Sequence, residues 1–376
     1  MSRTTTTTTG NATPGIHLDA RVLSTLEANK SFNYHQGASI TSLDFDDAGQ
    51  YLISSGIDKS IQLYDCHKGT HVKDIQSQKY GAHSARFTHE ELNCLYVSTP
   101  EGSSSTAEAI TTGGENDTIR YLSLNNNQYI RYFKGHKAQV SSVEVNPVDN
   151  TFMSASYDGS VKVWDLKSSS AVGNVEVGCN SVIGYDPQGV VFGIGKCGTN
   201  KDGKEVGVVK LYDLKSFDKA PFLVKEVPVL KGQKWNKLEF SNNGKLILIA
   251  TDSPEHYVLD AFLGDILAIV RLAISSSPEK TMSWMQFKYP YTGCCTFSPC
   301  GRYLFVGSPK CTINIYDVSG LQANKEKGRP VILSRTTNVL QTSSCGGVPK
   351  IVAFNPRLFE LASADTTVTL WLPTEK

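Results

Sequence analysis

His136, Ser154 and Asp158 are the residue types of a hydrolytic triad, and they stand within one short span of the chain. In such a set the aspartate orients the imidazole, which then draws the proton from the serine hydroxyl. Trp164 ends the same span. Its indole N–H is a donor that needs a partner when buried. The position of these residues in the chain decides between two readings. His136 belongs to a loop, Asp158 to a turn, and Ser154 and Trp164 to the two strands that the turn joins. Trp164 then covers the set. A chain of hydrogen bonds that satisfies buried polar groups and pins strand register accounts for all four residues. A catalytic set has to remain open to substrate, so the structural reading is the one adopted.

The elements that position these residues run from Phe133 to Asp165. Val140/Val143/Val145, Phe152/Met153/Ala155 and Val161/Val163 form three short alternating apolar runs. Asn146-Pro147 through Asp149-Asn150 separates the first two, and Tyr157-Asp158-Gly159 the last two. Period-two alternation with Asp-Gly at a tight turn signals antiparallel hairpins. Gly135-His136 at the start and Trp164-Asp165 at the end resemble the signature of a WD repeat.

Bulk composition narrows the function classes. The chain has 376 residues and a net charge of +1, which gives no electrostatic reason to expect direct nucleic-acid binding. Nine cysteines form no CxxC pair, and the densest group, Cys294-Cys295, Cys300 and Cys311, has no histidine beside it in sequence. They read as reduced core thiols rather than a metal site, which fits a reducing compartment. The apolar segment Ala261 to Ile274 is interrupted by Asp265 and Arg271 and is too short to span a bilayer. Thr4 to Thr9 lies in a start with no apolar signal-peptide core. Residues 1–19 read as a disordered Thr-rich tail, and residues 20–376 as one domain.

Six further repeats follow the same grammar. They cover about Phe32 to Asp65, Tyr80 to Ser123, Asn180 to Asp213, Trp235 to Asp260, Gly293 to Asp317 and Pro349 to Leu372. Ile266 to Leu272 reads as the outer strand of the fifth. The last repeat ends with no room for a fourth strand, while Val22, Leu23 and Leu26 form a spare one at the start. Lending that strand to the last blade closes the ring and covers an edge. The expected fold is all-β, a seven-bladed WD40 β-propeller closed by its N-terminal strand. Only the third repeat keeps a clear Gly-His, so the hydrogen-bond chain is expected once, with apolar packing elsewhere and His83 a weak candidate in the second blade. Insertions at 99–109 and 197–207 and a connector from Ser319 to Val348 read as loops. Gly193 to Gly198 matches GxGxxG, but no helix opens there, so no dinucleotide site is expected. No cluster of carboxylates is expected at a central channel. Arg120 and Arg131, each beside a tyrosine, are candidate partner contacts. The basic stretch Lys325 to Arg329 reads as a solvated connector.

Several runs go further than a generic repeat: Asp117 to Tyr132, Val209 to Phe222, Phe240 to Ile249, and Phe354-Asn355-Pro356 with Trp371-Leu372-Pro373-Thr374. From about Phe32 to Thr374 the chain resembles the Swd-two family, the WD-repeat subunit of the COMPASS histone H3 lysine-4 methyltransferase. In fungi that subunit is shared with the cleavage and polyadenylation factor. The resemblance implies a nuclear, non-catalytic scaffold with no cofactor and no membrane association. Its implied partners are an N-terminal segment of the methyltransferase catalytic chain, other COMPASS subunits, and the cleavage and polyadenylation factor with its phosphatase module. An alternative from another class is a WD-repeat substrate receptor of a cullin-type ubiquitin ligase.

Overall fold

The structure is a computed structural model and describes residues 17–99, 117–199, 203–272, 291–323, 329–343 and 347–374. All but one of the regular elements among the described residues are strands. The exception is α1, a single turn at Ala20–Leu23 whose N-cap Asp19 accepts the Val22 N–H at 2.8 Å. The first strand, β1, therefore begins at Leu26 and runs to Phe32. This corrects the expectation of a strand through Val22 and Leu23. Asp19 offers the backbone a helical cap there, and Leu23 is buried with Tyr303, Ile315 and Trp371.

Blade one is β2–β5: Ile40–Phe45, Tyr51–Gly56, Ser60–Asp65 and Thr70–Gln76. Blade two is β6–β9: His83–Phe87, Asn93–Val97, Ile119–Ser123 and Tyr129–Phe133. Blade three is β10–β13: Val140–Val145, Thr151–Ser156, Ser160–Asp165 and Ala171–Glu176. Blade four is β14–β17: Ser181–Tyr185, Val191–Thr199, Glu205–Asp213 and Leu223–Pro228. Blade five is β18–β21: Trp235–Phe240, Leu246–Thr251, Glu255–Asp260 and Ile266–Arg271. Blade six is β22–β24, Cys295–Phe297, Tyr303–Ser308 and Thr312–Asp317, with β26, Asn338–Gln341. Between β24 and β26 the chain makes β25, Val331–Leu333, which pairs parallel on the outer edge of β21 in blade five. Blade seven is β27–β29, Ile351–Phe354, Leu361–Ala364 and Val368–Pro373, and β1 is its fourth strand.

The architecture is thus a seven-bladed propeller. Leu26 lies opposite Pro373 and Phe32 opposite Val368, so the first strand completes the last sheet. Each boundary between blades holds its own apolar cluster. At the closure, Phe32, Ile40, Leu43 and Tyr64 pack with Ile351, Val368 and Leu370. No blade can bury its faces alone, so the ring is stable only when every boundary is filled.

Asparagines reinforce some of these boundaries. Asn355 of blade seven donates from Nδ2 to the Gly49 carbonyl of blade one at 2.8 Å, and Asn146 of blade three does the same to Gly189 of blade four at 3.1 Å. Both glycines are left-handed, at φ +70° and +65°, and a Cβ on either would stand 2.1 Å from the asparagine Oδ1. Only glycine meets both demands.

Two stretches expected to be loops are strand. The 197–207 insertion lengthens a hairpin: Cys197 pairs with Gly207 and Thr199 with Glu205. Extended backbone satisfies its own polar groups where an open loop would need water. The GxGxxG run lies inside β15 of this hairpin, so no helix N-terminus faces it. The Ser319–Val348 connector carries β25 and the outer strand of blade six. Residues 100–109 of the other insertion, the N-terminal Thr run and residues 324–328 lie outside the described residues.

Candidate functional site

The structure brings His136, Asp158, Ser154 and Trp164 together. His136 Nδ1 meets Asp158 Oδ2 at 2.9 Å, His136 Nε2 meets Ser154 Oγ at 2.7 Å, and Trp164 Nε1 donates to the same Oγ at 2.8 Å. Burial opposes the Asp158 charge, but hydrogen bonds from His136, Ser160 and the Lys137 N–H outweigh it and hold the carboxyl well below its usual range. Ser154 and Trp164 are fully buried. No substrate can reach that hydroxyl, so the set fastens a loop to two strands.

Blade one repeats the arrangement, which corrects the expectation of a single chain. His35 Nδ1 meets Asp58 Oδ2 at 2.9 Å, His35 Nε2 meets Ser54 Oγ at 2.7 Å, and Tyr64 Oη lies 3.3 Å from that Oγ. Ser60 donates to Asp58 at 2.6 Å as Ser160 donates to Asp158 at 2.7 Å. The sequence hid this set because Tyr34 stands where the glycine of Gly-His is expected and Tyr64 replaces tryptophan. The same kind of histidine clasp in two blades is a feature of the repeat.

Other blades carry polar devices of their own, so apolar packing is not their only support. In blade five, Gln233 donates to Thr251 Oγ1 at 3.3 Å and bonds Ser253. In blade seven, Trp371 Nε1 donates to Ser363 Oγ at 2.9 Å. His83 does not build a clasp in blade two. It is buried on the inner strand, with Nε2 at 3.1 Å from the Ser141 carbonyl of blade three.

The inner strands place a ring of seven positions around the axis, four of them charged, that sequence reasoning missed. Asp44, Arg86, Glu144, Gly184, Glu239, Thr296 and Ala353 hold matching register positions on the seven inner strands, opposite Ile53, Leu95, Met153, Gly193, Leu248, Phe305 and Ala362. They line a central cavity of about 340 Å³ together with Lys237 and Tyr185. This corrects the expectation of no ionisable cluster at the channel. The signal was there, a charged residue between two apolar ones in Leu43-Asp44-Phe45, Val143-Glu144-Val145 and Leu238-Glu239-Phe240. Period-two alternation gives those charges to the side away from the blade core but does not say that seven such sides converge.

The ring's charges are engaged with one another. Arg86 reaches Glu144 at 2.6 Å and Asp44 at 3.4 Å, and donates to the Val143 carbonyl at 3.2 Å and the Leu43 carbonyl at 3.3 Å. Glu239 accepts from Thr296 Oγ1 at 3.1 Å and the Phe297 N–H at 3.0 Å, and pairs with Lys237 at 2.5 Å. Burial pushes the Asp44 carboxyl up to about 7 in spite of Arg86.

His256, Cys294 and Cys295 also come together, buried, with candidate ligand atoms within 4.8 Å of one another. A histidine therefore does stand beside these cysteines, brought from blade five by the fold. The thiols are 3.6 Å apart. His256 Nδ1 already accepts the Thr251 N–H at 3.2 Å. Among the described residues three donors meet here, and a structural zinc takes four.

Arg120 is not at the surface. It is 1 % exposed, donates to Ser98 Oγ at 3.0 Å and the Thr118 carbonyl at 3.1 Å, and its guanidinium lies 3.9 Å from the Tyr80 ring centroid. Neighbouring blades cover both faces of β8, so Ile119 to Leu122 are all buried, which removes Arg120 as a partner contact. Arg131 is half-buried. The exposed side chains of its strand are Tyr129, Ile130 and Tyr132.

Seven blades of four strands, one with a fifth added, histidine clasps and a borrowed closing strand define a WD-repeat β-propeller. The family model described as "WD domain, G-beta repeat" matches residues 26–65, 127–165 and 291–317. The chain is 35 % identical over 333 residues to the COMPASS component SWD2 of Saccharomyces cerevisiae, covering 89 % of this chain and 90 % of that one. It is 34 % identical to WD repeat-containing protein 82 of Drosophila melanogaster, covering 90 % and 91 %, and 31 % identical to the Set1 complex component swd2 of Schizosaccharomyces pombe, covering 93 % and 97 %. The chain belongs to the family of WD-repeat proteins that these relatives represent.

Proposed function

We propose that this chain is a non-catalytic, nuclear scaffold subunit of a COMPASS-type histone H3 lysine-4 methyltransferase complex. It holds an N-terminal segment of the methyltransferase catalytic chain. The observation that carries this is collinear similarity along nearly the whole propeller to relatives named as COMPASS and Set1 complex components. The geometry supports it: the histidine sets are buried clasps, the axial charges are committed to one another, and a rigid ring leaves its rims to partners. It also serves the cleavage and polyadenylation factor with its phosphatase module in a second assembly. Purification of the tagged full-length chain from nuclei tests both assignments. The expected result is the methyltransferase subunits in one complex and 3′-end processing subunits in another. Cullin adaptors in their place would turn the reading toward a ubiquitin-ligase receptor.

A further inference from the structure

The outer strand of blade two, β9, presents three large side chains to solvent: Tyr129 at 43 % exposure, Ile130 at 46 % and Tyr132 at 43 %. The outer strands β5, β13 and β17 expose one each, Val72, Val172 and Val224. The support beneath β9 is built. Tyr129 Oη lies 2.9 Å from Tyr96 Oη, the Tyr129 and Tyr132 rings are 5.2 Å apart, and buried Arg120 stacks on Tyr80 below.

The two stretches of chain beside this edge carry cations and no acids. Residues 75–87 and 123–137 contain no Asp or Glu, although the chain as a whole is nearly neutral. Lys79, Lys134 and Lys137 are exposed and Arg131 is half-buried. Asp74, next along the chain, accepts hydrogen bonds from Gln62 at 3.1 Å and Gln76 at 2.6 Å.

Among the described residues β9 is also the last strand of its sheet, so one row of its backbone groups has no neighbouring strand there. In blade five the corresponding edge is already covered, with Ala268, Ile269 and Val270 of β21 beside Val331, Ile332 and Leu333 of β25. This fold accepts a fifth strand on an outer edge.

We propose that the β9 edge docks an extended acidic segment of a partner protein, which adds as a fifth strand of blade two. Its apolar residues lie on Tyr129, Ile130 and Tyr132, and its carboxylates meet Lys79, Arg131 and Lys134. The proposal rests on the scaffold reading and gives that reading a surface. Cations and aromatic rings also suit single-stranded RNA, but the free backbone edge favours a peptide.

The test replaces Tyr132 with the photo-cross-linker p-benzoylphenylalanine in the full-length chain, irradiates cells, and identifies the attached peptide by mass spectrometry. The expected attachment is a net-negative segment with alternating apolar residues. Its yield should fall about tenfold or more with Lys79→Glu and Lys134→Glu together, since both would repel it, while the melting temperature stays where it was. Attachment to RNA, to a second copy, to this chain's own residues 100–116, or to a segment without negative charge overturns the proposal. So does the absence of any cross-link while the methyltransferase subunits still co-purify. Loss of those subunits with an acidic segment still attached at Tyr132 overturns the scaffold reading and leaves the docking site standing.

Discussion

The Arg86 guanidinium of blade two meets the Glu144 carboxylate of blade three at 2.6 Å, with Asp44 of blade one on its other side at 3.4 Å. One side chain therefore ties three blades at the axis. Arg86→Met removes the donor to Glu144 and to the Leu43 and Val143 carbonyls, and leaves Asp44 only the Phe87 N–H. It should cost about 3–5 kcal/mol, as expected when one partner of a buried pair is removed. Urea unfolding of the variant measures this, and a loss under about 1 kcal/mol would mean that water replaces the arginine.

His83 carries a pH dependence. Burial, with Arg86 nearby, lowers it from the usual 6.5 to about 4. The unfolded chain takes up that proton near pH 6.5, whereas the fold takes it up only near pH 4. Its contribution to stability is intact above pH 6.5 and is lost as pH falls toward 4, about 2 kcal/mol of it between pH 7 and pH 5. Asp44 and Glu360, raised to about 7 by burial, act in the opposite direction over the same range. The clean observable is thus a difference between proteins. Relative to the parent, His83→Gln should gain stability at pH 5 compared with pH 7. An unchanged difference would show that His83 titrates in the fold as it does in the unfolded chain.

The two clasps should act independently. His136→Ala breaks contacts to Asp158 and Ser154, and His35→Ala breaks those to Asp58 and Ser54. Each should cost about 1–3 kcal/mol, because two buried hydrogen bonds are lost while Asp158 and Asp58 keep their serine donors and Ser154 and Ser54 keep Trp164 and Tyr64. The losses should add in the double variant to within about 0.5 kcal/mol, since the clasps share no partner. Strong coupling in denaturation experiments would mean that the blades do not carry their own polar support.

Asn355 makes a separate test at the closure. Asn355→Ala removes the donor to Gly49 and the acceptor for the Arg357 and Leu358 N–H groups, at 3.0 and 2.9 Å. The expected loss is about 2–3 kcal/mol, with faster hydrogen exchange in blades seven and one and little change in blade four. Uniform acceleration round the ring would contradict a local role.

The fold was legible because each repeat announces itself by alternation and turn chemistry. Val140, Phe152 and Val161 fix one blade without any knowledge of its neighbours. The closing strand was legible by subtraction, although Asp19 moved its start from Val22 to Leu26. What the sequence concealed is what requires the ring. Asp44, Arg86 and Glu144 are far apart along the chain, and each looks like an ordinary solvent-side residue of a half-buried strand until curvature turns those sides to one axis. Arg120 was misplaced for a related reason: blades pack on both faces of β8, so Ile119, Arg120, Tyr121 and Leu122 are all buried and alternation does not decide exposure there. His35 went unseen because its clasp uses Tyr64 where a tryptophan was sought.

Ring closure by the first strand underlies the rest, and its most direct measurement compares the melting temperatures of two truncations. Removing residues 1–16 should leave the transition unchanged. Removing residues 1–32 strips Leu23, Leu26 and Phe32 from their clusters and bares the edge of β29, which should lower the melting temperature by about 10 °C or more. Equal melting temperatures for the two truncations would contradict the closed ring.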